Sequence, residues 1–191
     1  MKTLYLIRHS RTRANEERLY GGSTDIPLSP KGRQLAESMR RERPLPEAAL
    51  YATSGMARAN ETLRLLTGRA PGLAMPRLRE MDFGAFEMRS YEQLKDVPDY
   101  IRWIGDAGGD FPCPGGESKN AVRARVLAGG RELLQRAESS AIVVCHGGAI
   151  VNLMEAWFPQ ASRSFYEWQP AACRGYRVSV EENAPTSFEE V

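Results

Sequence analysis

Leu4-Tyr5-Leu6-Ile7-Arg8-His9 is a short apolar run that stops on a cation and a histidine, and Ala141-Ile142-Val143-Val144-Cys145-His146 is a second run of the same kind near the other end of the chain. Short runs rich in Val, Ile, Leu and Tyr read as buried strands, and in open α/β sheets the carboxyl ends of the strands border the ligand crevice. These are the only two histidines, so both imidazoles can share one site. Arg8 offers a planar fork of donors that suits a phosphate dianion, and its charge favours the neutral, nucleophilic form of the imidazole beside it. A single histidine at a strand end is ordinarily a structural residue satisfied by hydrogen bonds. Two of them, one after an arginine and one before Gly147-Gly148 and an apolar helical stretch, point instead to phosphate chemistry. A histidine metal pair fits worse, because there is no His at i+4, no HExxH and no CxxC.

Between and beyond these runs the pattern alternates. The first strand spans Lys2 to Arg8, and a polar loop from Ser10 to Leu28 leads to a helix with Ser29 as N-cap and Pro30 at its first position, running to about Arg43. Ala48 to Thr53 is a second apolar run. Ser54 or Gly55 opens a helix that carries Met56, Leu63 and Leu66 on one face and ends at Gly68. A short strand is predicted near Arg77 to Met81. The stretch 82–116 is broken by Gly and Pro yet holds Phe83, Phe86, Tyr91, Tyr100, Trp103 and Phe111, which reads as a lid or cap whose aromatic cluster serves as a small core, a substrate wall, or both. A helix follows from Glu117 to Ala137, weakened by about 1 kcal/mol at each of Gly129 and Gly130 relative to Ala. After the strand that delivers His146, a helix from Gly148 to Trp157 and an alternating edge strand from Arg174 to Val180 complete the pattern, with 181–191 expected to be a loose acidic tail. Helices between most strands imply a three-layer αβα sandwich with a mostly parallel sheet and an antiparallel edge strand. The 191 residues are expected to form one domain.

Composition narrows the function classes. With 42% hydrophobic and 26% charged residues and a net charge of +2, the chain carries too little positive charge, too evenly spread, for nucleic acid. No run reaches the roughly 18 apolar residues of a membrane span and no signal-peptide pattern precedes the first strand, so a cytoplasmic protein is expected. Cys113, Cys145 and Cys173 are odd in number and far apart, as reduced thiols are. Cys145 adjoins His146, but neighbouring strand residues face opposite ways, which makes Cys145 a core residue.

Leu6-Ile7-Arg8-His9-Ser10-Arg11-Thr12 with Asn15 resembles the R-H-G-x-T-x-x-N signature of the histidine phosphatase superfamily, the phosphoglycerate mutase-like fold. Gly22-Ser23-Thr24-Asp25-Ile26-Pro27-Leu28-Ser29-Pro30-Lys31-Gly32 resembles that family's next segment, followed in order by Ser54-Gly55-Met56-Ala57-Arg58-Ala59 with Thr62, Leu78-Arg79-Glu80 with Gly84, Pro114-Gly115-Gly116-Glu117-Ser118 and His146-Gly147-Gly148. Six ordered segments are far more specific than one short motif.

The resemblance implies that His9 takes the phosphoryl group, that Arg8, Arg58 and His146 hold the phosphate oxygens, and that Glu80 donates and then accepts a proton. Two arginines and a protonated imidazole would supply the positive charge that a loose, highly charged phosphoryl group needs, with no metal and no other cofactor. Glu87 and Glu117 compete with Glu80 for the acid–base role. Asn15, Ser23, Thr24 and Gly147 are further candidates for phosphate contact through amide, hydroxyl or backbone donors. Ser10 stands where glycine is usual, which adds a side chain near substrate that restricts φ or donates to phosphate. Arg11, Arg13 and Arg18 form either an attracting mouth or a solvated face. The implied partner is a small phosphate ester, with nucleic acid and membrane excluded and a homodimer left open. The compact chain is similar to α-ribazole phosphatases and broad-specificity small phosphatases. A mutase and a non-catalytic phospholigand or protein-binding module are the alternatives, and the retention of Arg8, His9, Arg58, Glu80 and His146 argues against the second.

Overall fold

Alternation along β1 (Lys2–Arg8) sends Leu4 and Leu6 to one face of a sheet and Tyr5 and Ile7 to the other. The computed structural model describes residues 1–191. β1 is followed by the short helix α1 (Arg13–Glu16), α2 (Pro30–Glu42), β2 (Leu50–Thr53), α3 (Ala57–Thr67) and β3 (Leu73–Ala74). Then come α4 (Tyr91–Leu94), α5 (Pro98–Gly105), α6 (Lys119–Arg136), β4 (Ser140–Cys145), α7 (Gly147–Trp157), α8 (Phe165–Trp168), β5 (Gly175–Glu181) and β6 (Ala184–Glu190). The strands form one sheet in the order β3-β2-β4-β1-β5-β6. β3, β2, β4 and β1 run parallel, whereas β5 and β6 pair antiparallel. Ala36 of α2 and Ala59, Leu63 and Leu66 of α3 pack on Ile7, Ile142 and Val144. On the opposite face α6 and α7 bring Val126, Leu133, Ile150 and Leu153 against Leu4, Leu6, Val143 and Cys145. This is the three-layer architecture expected from the alternation of elements. No helix is long and apolar enough to cross a membrane.

Local chemistry accounts for most helix boundaries. The Ser29 hydroxyl accepts from the Gly32 amide with Pro30 at the first helical position, and Gly68 ends α3 in the left-handed region at φ 74°. α3 nevertheless starts at Ala57, later than Ser54 or Gly55, because Ser54 is not its cap; its hydroxyl is bonded to His146 instead. α6 runs unbroken through Gly129 and Gly130, where a Cβ would lie 2.9 Å from Leu78 and 2.5 Å from Leu153, so their bareness permits close packing.

Two expectations are corrected. The strand predicted near Arg77 to Met81 is absent; β3 lies earlier, pairing Leu73 with Ala52, and Pro76–Leu78 forms a single 3-10 turn. Pro76 has no N–H for a ladder, and the turn buries Met75 and Leu78. Nor are residues 181–191 loose: β6 pairs with β5 across the whole strand, so β5 is interior and β6 is the edge. The connecting turn has φ 49° at Glu182 and 62° at Asn183, the positive pair of a type I′ hairpin, here made without glycine. Pro185 sits at the register shift opposite Val180, where a missing donor is tolerated. Two ion pairs, Arg177–Glu189 at 2.5 Å and Arg163–Glu190 at 2.8 Å, use the acidic residues that made the segment look unstructured.

In the 82–116 segment, Phe86, Tyr100 and Trp103 are buried in the same cluster as the central strands. Tyr20, Phe83, Phe86, Tyr100 and Trp103 meet with ring centroids 5.1–6.1 Å apart, mostly edge to face, and the Tyr20 and Tyr100 hydroxyls share a hydrogen bond of 2.5 Å. Core packing is therefore what this aromatic cluster does in the structure.

Phe188 on β6 lies with its ring centroid 4.7 Å from that of Phe158 and 5.0 Å from that of Trp168. Phe188→Ala is expected to cost about 2–3 kcal/mol in urea unfolding, below the value for a fully buried Phe because Phe188 is only partly buried. A loss under about 0.5 kcal/mol, the range of a surface substitution, would return this segment to a tail.

Candidate active site

The pairing of β1 with β4 in register, Arg8 opposite Cys145, brings the two strand ends side by side. His9 and His146 follow directly, with ring centroids 5.0 Å apart, and both are buried. The His9 amide donates to the Cys145 carbonyl at 2.9 Å. His9 Nδ1 lies 2.6 Å from the Ser10 carbonyl oxygen. A carbonyl only accepts, so in the neutral ring Nδ1 carries the proton and the lone pair is on Nε2. His146 Nε2 is 2.7 Å from the Ser54 hydroxyl, while its Nδ1 is buried with no partner. Buried polar atoms are seldom left unpaired away from functional sites. With the Ser54 hydroxyl donating to Nε2, Nδ1–H is a donor free for an anion.

Arg58 rises from the start of α3 and is almost wholly enclosed, at 1% exposure. Its guanidinium donates to Gly22 O at 2.6 Å and Thr24 O at 3.0 Å. Arg8 Nη1 donates to Pro170 O at 2.8 Å. Burial lowers the pKa of both arginines from the ordinary value, opposed in each case by the charge of Glu80, and neither shift deprotonates a guanidinium. The His9 pKa is pushed down to about 3, first by burial and then by the Arg58 charge, with Arg8 adding to it and the Ser10 bond opposing. His146 is driven well below its ordinary value by burial and then by His9 and Arg58. Burial and the neighbouring guanidiniums thus favour the neutral form of both imidazoles in the free site, which concentrates positive charge there on Arg8 and Arg58.

The three carboxylates that competed on sequence grounds are distinguished by their partners. Glu117 is a fork-to-fork partner of Arg125, at 2.8 and 2.7 Å, and accepts from the Asp82 amide. Glu87 accepts from the loop at residues 22–24. Glu80 accepts from the Gly148 amide at 3.1 Å and from Met81 N at 3.0 Å. That first bond comes from the opening turn of α7, whose N-terminal dipole also favours an anion. Glu80 is the carboxylate whose charge bears on both Arg8 and Arg58, and its Gly148 partner lies two residues after His146.

Other expected contacts are arranged differently. Asn15 is exposed and its Oδ1 accepts from the Thr12 amide and hydroxyl, both at 3.0 Å, as a capping box for α1. Ser23 donates its hydroxyl to Asp82 at 2.9 Å and its amide to Glu87, and Thr24 donates both its hydroxyl and amide to Glu87. Ser10 adopts no left-handed conformation, and its hydroxyl donates to Gly32 O at 2.6 Å, not towards the site. Gly147 allows close approach: a Cβ there would lie 3.3 Å from Arg8 Nε. Arg11, Arg13 and Arg18 are exposed, and Arg13 pairs with Glu17. Cys145 is core, its thiol pushed up to about 12 mainly by burial. No group of three or more His, Cys, Asp or Glu side chains is placed to hold a metal ion.

Sequence reasoning gave Ser54 and Thr62 no role in the site. Thr62 Oγ1 accepts from the Ser10 amide at 2.9 Å and donates to Arg58 O at 2.7 Å, tying the His9 loop to the helix that carries Arg58. Both residues stand within the segment around Arg58, so their spacing from it was the available signal.

Residues 4–188 match the model of the histidine phosphatase superfamily, branch 1. A probable phosphoglycerate mutase, GpmB, of Enterobacter sp. strain 638 is 35% identical over 156 residues, 78% of this chain and 72% of that one. The adenosylcobalamin/alpha-ribazole phosphatase of Escherichia coli K12 is 34% identical over 127 residues, 64% of this chain and 62% of that one. The crystal structure of the alpha-ribazole phosphatase from Shigella flexneri superposes with a TM-score of 0.82 at 26% identity, covering 96% of this chain and 93% of that one.

A Cβ added at Gly148 would lie 2.4 Å from Glu80 Oε1, the movable end of a side chain, so Gly148→Ala displaces the carboxylate without removing it. Phosphatase activity is expected to fall by about 10–100-fold, since a misplacement near 1 Å can cost about that much, while Tm changes by less than about 4 °C. Undiminished activity would separate Glu80 from the chemistry.

Proposed function

The chain belongs to the histidine phosphatase superfamily; from that premise we propose that it is a phosphatase that hydrolyses the phosphomonoester of a small metabolite through a phosphohistidine on His9, without a metal. The observation that carries this reading is the buried His9, whose Nδ1 is fixed on the Ser10 carbonyl so that Nε2 is left bare, and on which the charges of buried Arg58 and half-buried Arg8 both act.

Arg8 and Arg58 take the non-bridging oxygens of the phosphate dianion, and the unpaired His146 Nδ1–H takes a third contact. His9 Nε2 attacks phosphorus as the P–O bond to the alcohol breaks, and Glu80, which takes up a proton from solvent as the dianion arrives beside it, gives that proton to the departing oxygen. Most of the barrier reduction comes from position and from charge fixed in advance where the loose transition state needs it. The arriving dianion also stabilises a proton on His146, by the reverse of the effect that keeps it neutral in the free site. Water then attacks the phosphorus of the phosphohistidine as the N–P bond breaks, Glu80 recovers its proton from that water, and inorganic phosphate leaves with His9 neutral again.

The alpha-ribazole phosphatase relatives make α-ribazole phosphate the first substrate to test. The GpmB relative supports a second reading, in which a second hydroxyl replaces water as acceptor and a bisphosphate primes the enzyme. A non-catalytic binding module has less support, since no member of the implied set is missing.

Phosphate release is to be followed with EDTA present on p-nitrophenyl phosphate, α-ribazole phosphate, phosphoglycerates and sugar phosphates. Turnover that survives chelation and falls by at least about 10³-fold in His9→Ala is expected. No release from any ester by the wild type would overturn hydrolysis, and interconversion of phosphoglycerates with little free phosphate would put the mutase in its place.

A further inference from the structure

Five donors converge closely on the carboxylate of Glu87. Oε2 accepts from Gly22 N at 3.1 Å, Thr24 N at 3.2 Å and Thr24 Oγ1 at 2.7 Å, and Oε1 accepts from Ser23 N at 2.9 Å and Phe83 N at 3.0 Å. Ser23 Oγ adds a longer contact to Oε1 at 3.4 Å. Three of these donors are successive amides of one loop, curved around an anion as backbone nests are. Here the anion is a side chain of the protein itself.

The other side of the same loop faces Arg58. Gly22 O and Thr24 O are the two acceptors of the Arg58 guanidinium, at 2.6 and 3.0 Å. The Gly22 carbonyl and the Ser23 amide belong to a single peptide group. That peptide donates to Glu87 at one end and accepts from Arg58 at the other, and hydrogen bonds in such a chain polarise and strengthen one another. Gly21-Gly22-Ser23 lies in no helix or strand, so holding it in one conformation carries a large entropic cost. The Glu87 bonds offset that cost and leave the carbonyls in place to receive a cation.

We propose that Glu87 is a positioning residue for phosphoryl transfer: its carboxylate pins the Gly22–Thr24 loop, and the loop's carbonyls aim the Arg58 guanidinium at the phosphate. With five donors around it, Glu87 is unsuited to proton transfer, so its contribution reaches the reaction only through Arg58. The inference rests on the phosphatase reading for its link to turnover, while its effect on anion binding can be read without turnover.

The test is a double-mutant cycle of Glu87→Gln and Arg58→Ala, read as kcat, KM and the affinity for orthovanadate, a mimic of the five-coordinate phosphoryl transition state. In the wild-type background Glu87→Gln is expected to lower kcat and weaken orthovanadate binding by about 10–30-fold each, with KM changed by less than about 3-fold. In the Arg58→Ala background the same substitution is expected to change either quantity by less than about 2-fold, because coupled residues are not additive. An equal factor in both backgrounds, or no effect in the wild type, would overturn the proposal. If Glu87→Gln does not fold, Glu87→Asp, with the charge kept but one methylene short of the loop, supplies the same cycle and the same criteria. A wild type that binds orthovanadate yet hydrolyses no ester would remove the phosphatase reading, and the binding arm would still decide the role of Glu87.

Discussion

The parallel pairing of β1 with β4 is the constraint on which the rest of the site depends. It sets Arg8 opposite Cys145, so that the next residue of each strand is a histidine and the two rings meet 5.0 Å apart. Every other candidate group is fixed relative to that pair. α3 carries Arg58 to the site and is tied to the His9 loop through Thr62. The first turn of α7 begins immediately after His146 and holds Glu80 through the Gly148 amide. The strands can occupy these positions because apolar side chains cover both faces of the sheet, with α2 and α3 on one side and α6 and α7 on the other.

Burial and positive charge act together at the strand ends. Removing an imidazolium from water beside two guanidiniums is unfavourable, which favours neutral histidines, whereas the arginines keep their protons. Arg58 is satisfied mainly by backbone carbonyls, whose partial charges solvate the guanidinium without neutralising it. A phosphate dianion would therefore meet preorganised charge, which costs less at the moment of reaction than reorganising solvent. The same logic explains the partition of the carboxylates. Glu117 is neutralised by Arg125 and Glu87 is surrounded by loop donors, which leaves Glu80 as the carboxylate with backbone amides alone for partners.

Much of this was legible in the sequence, because strand ends and helix caps are local. The apolar runs ending at His9 and His146, the Ser29-Pro30 helix start and the Gly68 stop each require only a few adjacent residues. Three features depended on distant ones. Residues 77–81 looked like a strand by composition, but pairing with Ala52 selected Leu73 instead. The acidic C-terminal segment looked loose because its partners, Arg163, Arg177 and the aromatic ring of Trp168, lie outside it. Ser10, Ser23 and Thr24 were read as phosphate donors from their type and place, yet their hydroxyls are taken by the Gly32 carbonyl and by carboxylates across the fold, and Asn15 spends its Oδ1 on a helix cap. A polar residue in a motif announces a bond; the sequence does not say with what.

The protonation and tautomer of His9 are the point at which this picture is most directly exposed. Long-range 1H–15N correlation spectra of the free protein, recorded from pH 8 to pH 5, report both ring nitrogens of each histidine. The expected result is a His9 ring that remains neutral throughout, protonated on Nδ1 and bare on Nε2, in keeping with a pKa pushed down to about 3. A His9 ring that titrates near the ordinary value of 6.5, or that carries its proton on Nε2, would contradict the assignment of a preformed nucleophile held by burial and two arginines.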